Sequence, residues 1–397
     1  MTDTPLMNLH WSRGYTDPAW VRRYTTSERE LLPSRRVWRG PDAARSLPVD
    51  TAGTAGLDEF TVTTPDGAAM TLAQLFEAAQ TDAFLVMHRG TLVHETYPHG
   101  LRPHEPHFNA SAAKSYLGLV AAVLAHQGVL DRAAPATTYV PEFAGTAFGD
   151  STVDHLLHMG TQVSYGGRPF DKPIEAQRYF AVIAPPLRPY GYSGPASIRE
   201  HLATARATAA PGTEFRYENG NVEALAEILR RVTGVTTSAL LSDMIWSRLG
   251  ADEDAYYVLD GEGTEAACGG FSATARDVAR LGEMVRCGGA TGGRQVVPEA
   301  VAATIADAPD GYARHVRFPA APPSAPANLS YHDLWWILND GDGSFMASGI
   351  HGQRLFVSPR LETVIVHYGS QVMSPAVPAA PLVPAFLQLA AHLQRTR

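Results

Sequence analysis

Cysteine is almost missing from this chain: Cys268 and Cys287 are the only two in 397 residues. So sparse a pair cannot be the framework of the fold, and it says little about redox compartment. Long apolar runs are missing too. No stretch approaches the ~20 residues needed to cross a bilayer, so no membrane association is expected. The N-terminus, MTDTPLMNLHWSRGYTDPAW, has no basic region leading into an apolar one. The expectation is therefore a cytoplasmic protein without a secretory leader. Positive charge is in deficit, with a formal net charge of -8. No basic stripe with interleaved aromatics occurs, which argues against nucleic acid as a partner. The arginines Arg22, Arg23, Arg35, Arg36 and Arg39 read as solvated surface. What remains is a globular composition, 45% apolar and 18% charged, long enough for two or three domains.

Residues 1–55 are rich in Pro, Arg, Asp and Gly with weak periodicity, and read as an irregular N-terminal extension. A short helix is expected over 72–79. Ala83–Met87 is a buried-strand run, Arg89-Gly90 a turn, and Leu92–Tyr97 the returning strand. After Ser111, the residues Leu117, Val120, Ala121, Leu124 and Ala125 recur at helical spacing, with Gly128 as the stop. That helix is apolar nearly all round, so it should be buried. Further helices are expected over 197–205, from Val222 to a stop at Gly234, and over 275–287. A proline-rich loop spans 311–330. Strands are expected over 335–338, 346–350, 354–357 and 363–368, and a last helix over 382–393. The pattern predicts an α/β (α+β) protein. An antiparallel sheet built from 56–113 and 265–397 is flanked by helices, and a mainly helical segment, 114–264, is inserted between them.

The chemistry-bearing stretch is Ser111-Ala112-Ala113-Lys114. Residues three apart on a helix share a face, and the start of a helix carries positive potential. An amine one turn from a hydroxyl lowers the cost of removing its proton, and a phenol can relay that proton. Tyr217-Glu218-Asn219, preceded by PGTEFR, offers the phenol. A single S-x-x-K is common by chance, with Ser111 as an N-cap and Lys114 as a snorkelling lysine as the plain alternatives. Asn219 and Asn221 equally suit turns. His155 and His158 have metal-like spacing but no visible third ligand, so no metal and no cofactor are expected.

Together these stretches resemble the serine β-lactamase-like family. The branch is that of class C β-lactamases, family VIII carboxylesterases and, most similar, aminohexanoate-oligomer (nylon-oligomer) hydrolases. The resemblance is carried by TDAFLVMHRGTLVHETY, ASAAKSYLG, LDRAAPATTYVPEFAG, PGTEFRYENGNVEALAEILRRVTG, GGFSATARDVARLGEMV and SGIHGQRLFVSP. It spans about 70–397 and implies the β-lactamase/DD-peptidase-like fold, with the active site between the lobes.

Carried over residue by residue, the resemblance makes Ser111 the nucleophile and Lys114 and Tyr217 the proton-transfer groups. The box that reads Lys-Thr-Gly in β-lactamases falls at Ala347-Ser348-Gly349. It makes the backbone N–H groups of Ser111 and Ile350 the oxyanion hole, and its missing lysine argues against efficient β-lactamase action. Tyr165, Asp171, Asn219, Cys268, His351 and Trp336 become candidates to touch substrate. His351 equally suits a structural hydrogen bond, Trp336 packing, and Cys268 a buried filler role. The function implied is hydrolysis of an ester or amide of a small molecule through a Ser111 acyl-enzyme that forms only while Lys114 is neutral. Its rivals are an acyltransferase or peptide cyclase on the same fold, a non-catalytic sensor, and a DD-peptidase or β-lactamase. A homodimer is possible on this reading.

Overall fold

The run Ala83–Met87 is apolar without a break because both faces of its strand are covered. The computed structural model describes residues 17–50, 57, 59–165, 175–188, 192–317, 328–372 and 380–396. Strands of the two larger sheets are numbered here in chain order. They are β1 (Ser34–Val37), β2 (Thr81–His88), β3 (Thr91–Thr96), β4 (His107–Phe108), β5 (Ala255–Val258) and β6 (Phe271–Ala273), then β7 (Ser330–His332), β8 (Trp335–Ile337), β9 (Phe345–Ser348), β10 (Arg354–Ser358) and β11 (Thr363–Gly369). The main sheet is antiparallel in the order β7-β8-β9-β10-β11-β2-β3, so its centre joins the late strands to an early one. Arg89 and Gly90, both at positive φ, make the tight β2–β3 turn.

Strand alternation divides the helices between the two faces. Phe84 of β2, Phe356 of β10 and His367 of β11 share one face, where Phe386 of the helix Leu382–Thr396 packs on all three rings. Leu355 and Val364 point the other way, into the helix Ala275–Arg286. The helix Ala113–His126 is buried from Ala113 to Leu124, as its all-round apolar pattern requires. Gly118 lets that helix touch the β7–β8 turn: a Cβ there would lie 2.1 Å from the Asp333 carbonyl. The helix Asn219–Thr233 ends at Gly234 in the left-handed conformation. Among the described residues no helix is long and apolar enough to cross a membrane.

Four elements differ from the expectation. Part of the segment read as irregular is a helix, Pro18–Leu31, capped by Asp17, and it is followed by β1. Its buried face mixes Trp20, Val21 and Tyr24 with Thr25 and Glu28, and a kink at Ser27 breaks the period. Strand β5, inside the segment expected to be helical, pairs with β1 and β6 in a four-stranded sheet of order β1-β5-β6-β4. Four residues are too few for a periodic signal. Strand β7 lies at the end of the expected proline-rich loop, and the loop's prolines, Pro319 to Pro326, lie outside the described residues.

Candidate active site

Ser111 lies in a 3₁₀ turn, Ala110–Ala112, that leads directly into the helix Ala113–His126. It is therefore not the N-cap. Ala110 before it sits at φ +49, an uncommon conformation for a residue with a Cβ. Neighbouring side chains hold it there. Asn109 donates to the His107 carbonyl (2.8 Å) and to the Tyr368 hydroxyl (3.1 Å), and its oxygen accepts from Tyr116 (2.9 Å). Asn109 and Tyr116 carry no visible motif, and sequence reasoning passed over both.

Lys114 is buried with its amine at the centre of the site. Nζ donates to Ser111 Oγ (2.9 Å), Asn219 Oδ1 (2.9 Å) and the Cys268 carbonyl (2.6 Å). Three donors on three acceptors is the full complement of an ammonium. The amine also lies 5.2 Å from the centroid of the Tyr217 ring. Burial works against its charge. The neighbouring groups of Cys268, Tyr217 and Glu223 outweigh that, and the pKa is held above the ordinary lysine value. Lysine is scarce in this chain, Lys114 and Lys172 alone, and one of the two is fully buried on this contact set. That scarcity was a signal in the sequence.

Tyr217 is placed by aromatic packing. Its ring stacks on Trp336 (5.7 Å between centroids, 26°) and meets Tyr331 edge-on (6.0 Å), while Phe215 packs on both partners. Trp336 is buried beneath the phenol, so the structure gives it the packing alternative rather than a place at the mouth. Glu218, between the two box residues, caps the helix Asn219–Thr233 through the Gly220 N–H (3.0 Å) and accepts from Tyr165 Oη (3.1 Å). The cap turns Asn219 toward Lys114. Tyr165 also stacks on His201 (4.2 Å between centroids). Asn221 is buried and hydrogen-bonds weakly to the Glu218 carbonyl (3.4 Å).

The contact from Cys268 to Lys114 runs through its backbone, not its thiol, which burial pushes well above the ordinary range. The fully buried Glu223 fixes that backbone, accepting from the N–H groups of Cys268 (2.9 Å) and Ala267 (3.3 Å) and from the Tyr179 hydroxyl. Glu223 was also missed. Nothing local separates it from Glu227, the other acid on its helix.

The end of β9 presses against the Ser111 turn. A Cβ on Gly349 would lie 2.5 Å from the Asn109 carbonyl and 2.9 Å from Ala110 Cβ. Arg354, opposite Ser348 across the sheet, donates through Nη1 to the Gly349 carbonyl (2.6 Å) and the Gln353 carbonyl (2.7 Å). The Gly349 carbonyl and the Ile350 N–H belong to one planar peptide and point in opposite directions. By gripping the carbonyl, Arg354 aims that N–H away from itself. Burial pulls the guanidinium down to about 10.

His351 is not brought into the site. It is buried at φ +65 with Nδ1 on the Gln371 carbonyl (2.8 Å), and burial lowers it to about 4. This is the structural alternative. Asp171 lies outside the described residues. His155 caps its own helix, where Nδ1 accepts the Thr152 N–H (3.2 Å), and it is no partner to His158.

This fold and a buried amine on a turn-held hydroxyl define a hydrolase of the β-lactamase class. The β-lactamase family model matches residues 65–382, and the chain belongs to that family. It is 36% identical over 342 residues to the 6-aminohexanoate-dimer hydrolase of Paenarthrobacter ureafaciens, covering 86% of this chain and 83% of that one. A solved Bacillus anthracis structure assigned as a 6-aminohexanoate-dimer hydrolase superposes with a TM-score of 0.85 at 34% identity, over 96% of both chains. A family VIII carboxylesterase matches at a TM-score of 0.60 and 17% identity, over 89% of this chain and 100% of that one, which bears on the fold alone. The protein is a hydrolase of the β-lactamase fold.

Proposed function

We propose that this protein cleaves an ester or amide of a small molecule through an acyl-enzyme on Ser111. Ser111 Oγ attacks the carbonyl carbon and its proton passes to the Lys114–Tyr217 pair. The pair then protonates the leaving alcohol or amine, and water releases the acid by the same steps reversed. The observation that carries this reading is the Lys114 amine held between Ser111 Oγ and Asn219 Oδ1. The oxyanion would rest on the N–H groups of Ser111 and Ile350. The tight packing of Gly349 on Ala110 and the grip of Arg354 on its carbonyl support that assignment. The site would then lie between the sheet-bearing segments 56–113 and 265–397, which bring Ser111 and Ile350, and the helical segment 114–264, which brings Lys114 and Tyr217. The relatives named for the 6-aminohexanoate dimer favour short linear amides of ω-amino acids among the substrates.

The test is a panel of nitrophenyl esters of varied chain length beside short ω-amino-acid amides. Turnover by the wild type is expected, with Ser111→Ala reducing kcat by about 10³-fold or more and abolishing labelling by a fluorophosphonate. Full activity in Ser111→Ala or in Lys114→Met overturns the roles.

A further inference from the structure

We infer that His158, His332 and Asp333 form a divalent-cation site, suited to zinc, that is separate from Ser111 and Lys114. One ligand atom from each of the three lies within 4.8 Å of the others. His158 Nε2 and His332 Nε2 are each 3.8 Å from Asp333 Oδ1. A tetrahedral zinc with bonds of about 2.0–2.1 Å has ligand-to-ligand edges of roughly 3.3 Å. Those two edges need a contraction of about half an ångström, and the edge between the histidines lies within 4.8 Å.

The hydrogen bonds of His158 leave one of its nitrogens open toward the cluster. His158 Nδ1 is 3.0 Å from the Asp154 carbonyl and 3.2 Å from its carboxylate. Both are acceptors, so Nδ1 carries a hydrogen, and in the neutral ring Nε2 holds the lone pair. That nitrogen is buried and has no hydrogen-bond partner, on a side chain 7% exposed. A buried imidazole nitrogen with nothing donating to it is an acceptor waiting for a proton or a metal. A carboxylate behind a ligating histidine is the usual support of a metal site. Arg132 does the same for Asp333, with Nη2 on Oδ1 (2.6 Å) and Nη1 on Oδ2 (2.8 Å), leaving the other lone pair of each oxygen open. Arg132 also pairs with Asp154, so two carboxylates face one guanidinium, a negative excess that a cation would offset. A cavity of about 410 Å³, lined by His126, Arg132 and Thr304 among others, reaches Asp333.

The place in the fold says what the ion would do. Asp333 and Leu334, both at positive φ, are the two-residue turn between β7 and β8. Ser115 Oγ donates to the Leu334 carbonyl (2.7 Å), and the Leu334 N–H donates to Leu157 (3.1 Å). Two residues on, the Arg216 N–H donates to the Met159 carbonyl (2.9 Å). A cation at this point ties together the helix of Lys114, the hairpin of Tyr331 and Trp336, and the segment that anchors the chain just before Tyr217. It is a structural clamp, and no catalytic step runs through it.

The test uses full-length protein stripped with a chelator, desalted and titrated with zinc. One tightly held zinc per chain by mass spectrometry is expected, together with a zinc-dependent rise in melting temperature. Cobalt in place of zinc should give visible absorption bands of a four-coordinate nitrogen–oxygen site. The pair His158→Gln with His332→Asn should lose the zinc, the thermal shift and the bands, whereas Cys287→Ser should keep all three. No zinc retention, no thermal shift and no cobalt bands in the wild type overturn the site whether or not the variants fold. Equal zinc binding by the double variant overturns it as well, since the ion then sits on exposed groups.

Discussion

The charge on Lys114 governs when the proposed chemistry can run. Its amine is held above the ordinary lysine value, so the neutral amine that the proposed chemistry needs is the minor form. Burial alone would favour the neutral amine, and the groups of Cys268, Tyr217 and Glu223 prevail over it. A base that must lose a proton gives a rate that climbs with pH. The expected profile of kcat/KM therefore rises through the alkaline range, and a flat profile from pH 6 to 10 would count against the pair as base. Arg354 makes a second prediction at this scale. Arg354→Met releases the Gly349 carbonyl and lets the Ile350 N–H turn. The expected loss is roughly 10–100-fold in kcat with KM little changed, short of removing an oxyanion donor outright. An equal effect on KM and kcat would assign Arg354 to substrate binding instead.

Among the elements, the helix Ala113–His126 and the β7–β8 hairpin are the pair on which the site depends. They meet at Gly118, where the backbone of Asp333 occupies the space a side chain would need. Gly118→Ala must push the hairpin away, because the obstacle is main chain and cannot rotate aside. A loss of roughly 1–3 kcal/mol is expected in urea unfolding, the usual cost of overpacking. Activity should fall further than stability, since Trp336 carries Tyr217 and moves with the hairpin. The β10–β11 hairpin and the helix closed by Gly234 were legible beforehand, because each rests on local periodicity and turn chemistry. Strands β1 and β5 were not, for they are four residues long and pair with partners far along the chain, and β7 falls at the end of the stretch that reads as a proline-rich loop.

For the whole molecule, a buried acid links stability to pH. Glu28 reaches across from the N-terminal helix to accept from Tyr24 (2.7 Å) and from Ser272 on β6 (3.0 Å). Burial raises its pKa from 4.5 to about 8. A raised folded-state value means the unfolded chain ionises first as pH climbs. The stability tied to Glu28 is full below pH 4.5, and it is lost progressively up to about pH 8. Glu28→Gln should flatten the fall in melting temperature between pH 5 and 8. An unchanged slope in that variant would show that the carboxyl does not titrate there.

The sequence by itself determined the family, the order of the motifs, and the one-turn spacing that puts Ser111 and Lys114 on a common face, because all of these are local along the chain. It could also have flagged the scarcity of lysine. Tertiary structure alone decided the rest. It gave Lys114 its third acceptor in the Cys268 backbone, set Trp336 under Tyr217, and turned His351 into a structural hydrogen bond. It also brought His158 to His332 and Asp333. Each of these joins residues tens to hundreds of positions apart or opposes burial to nearby charge, and neither distance in space nor local dielectric is written in a linear pattern.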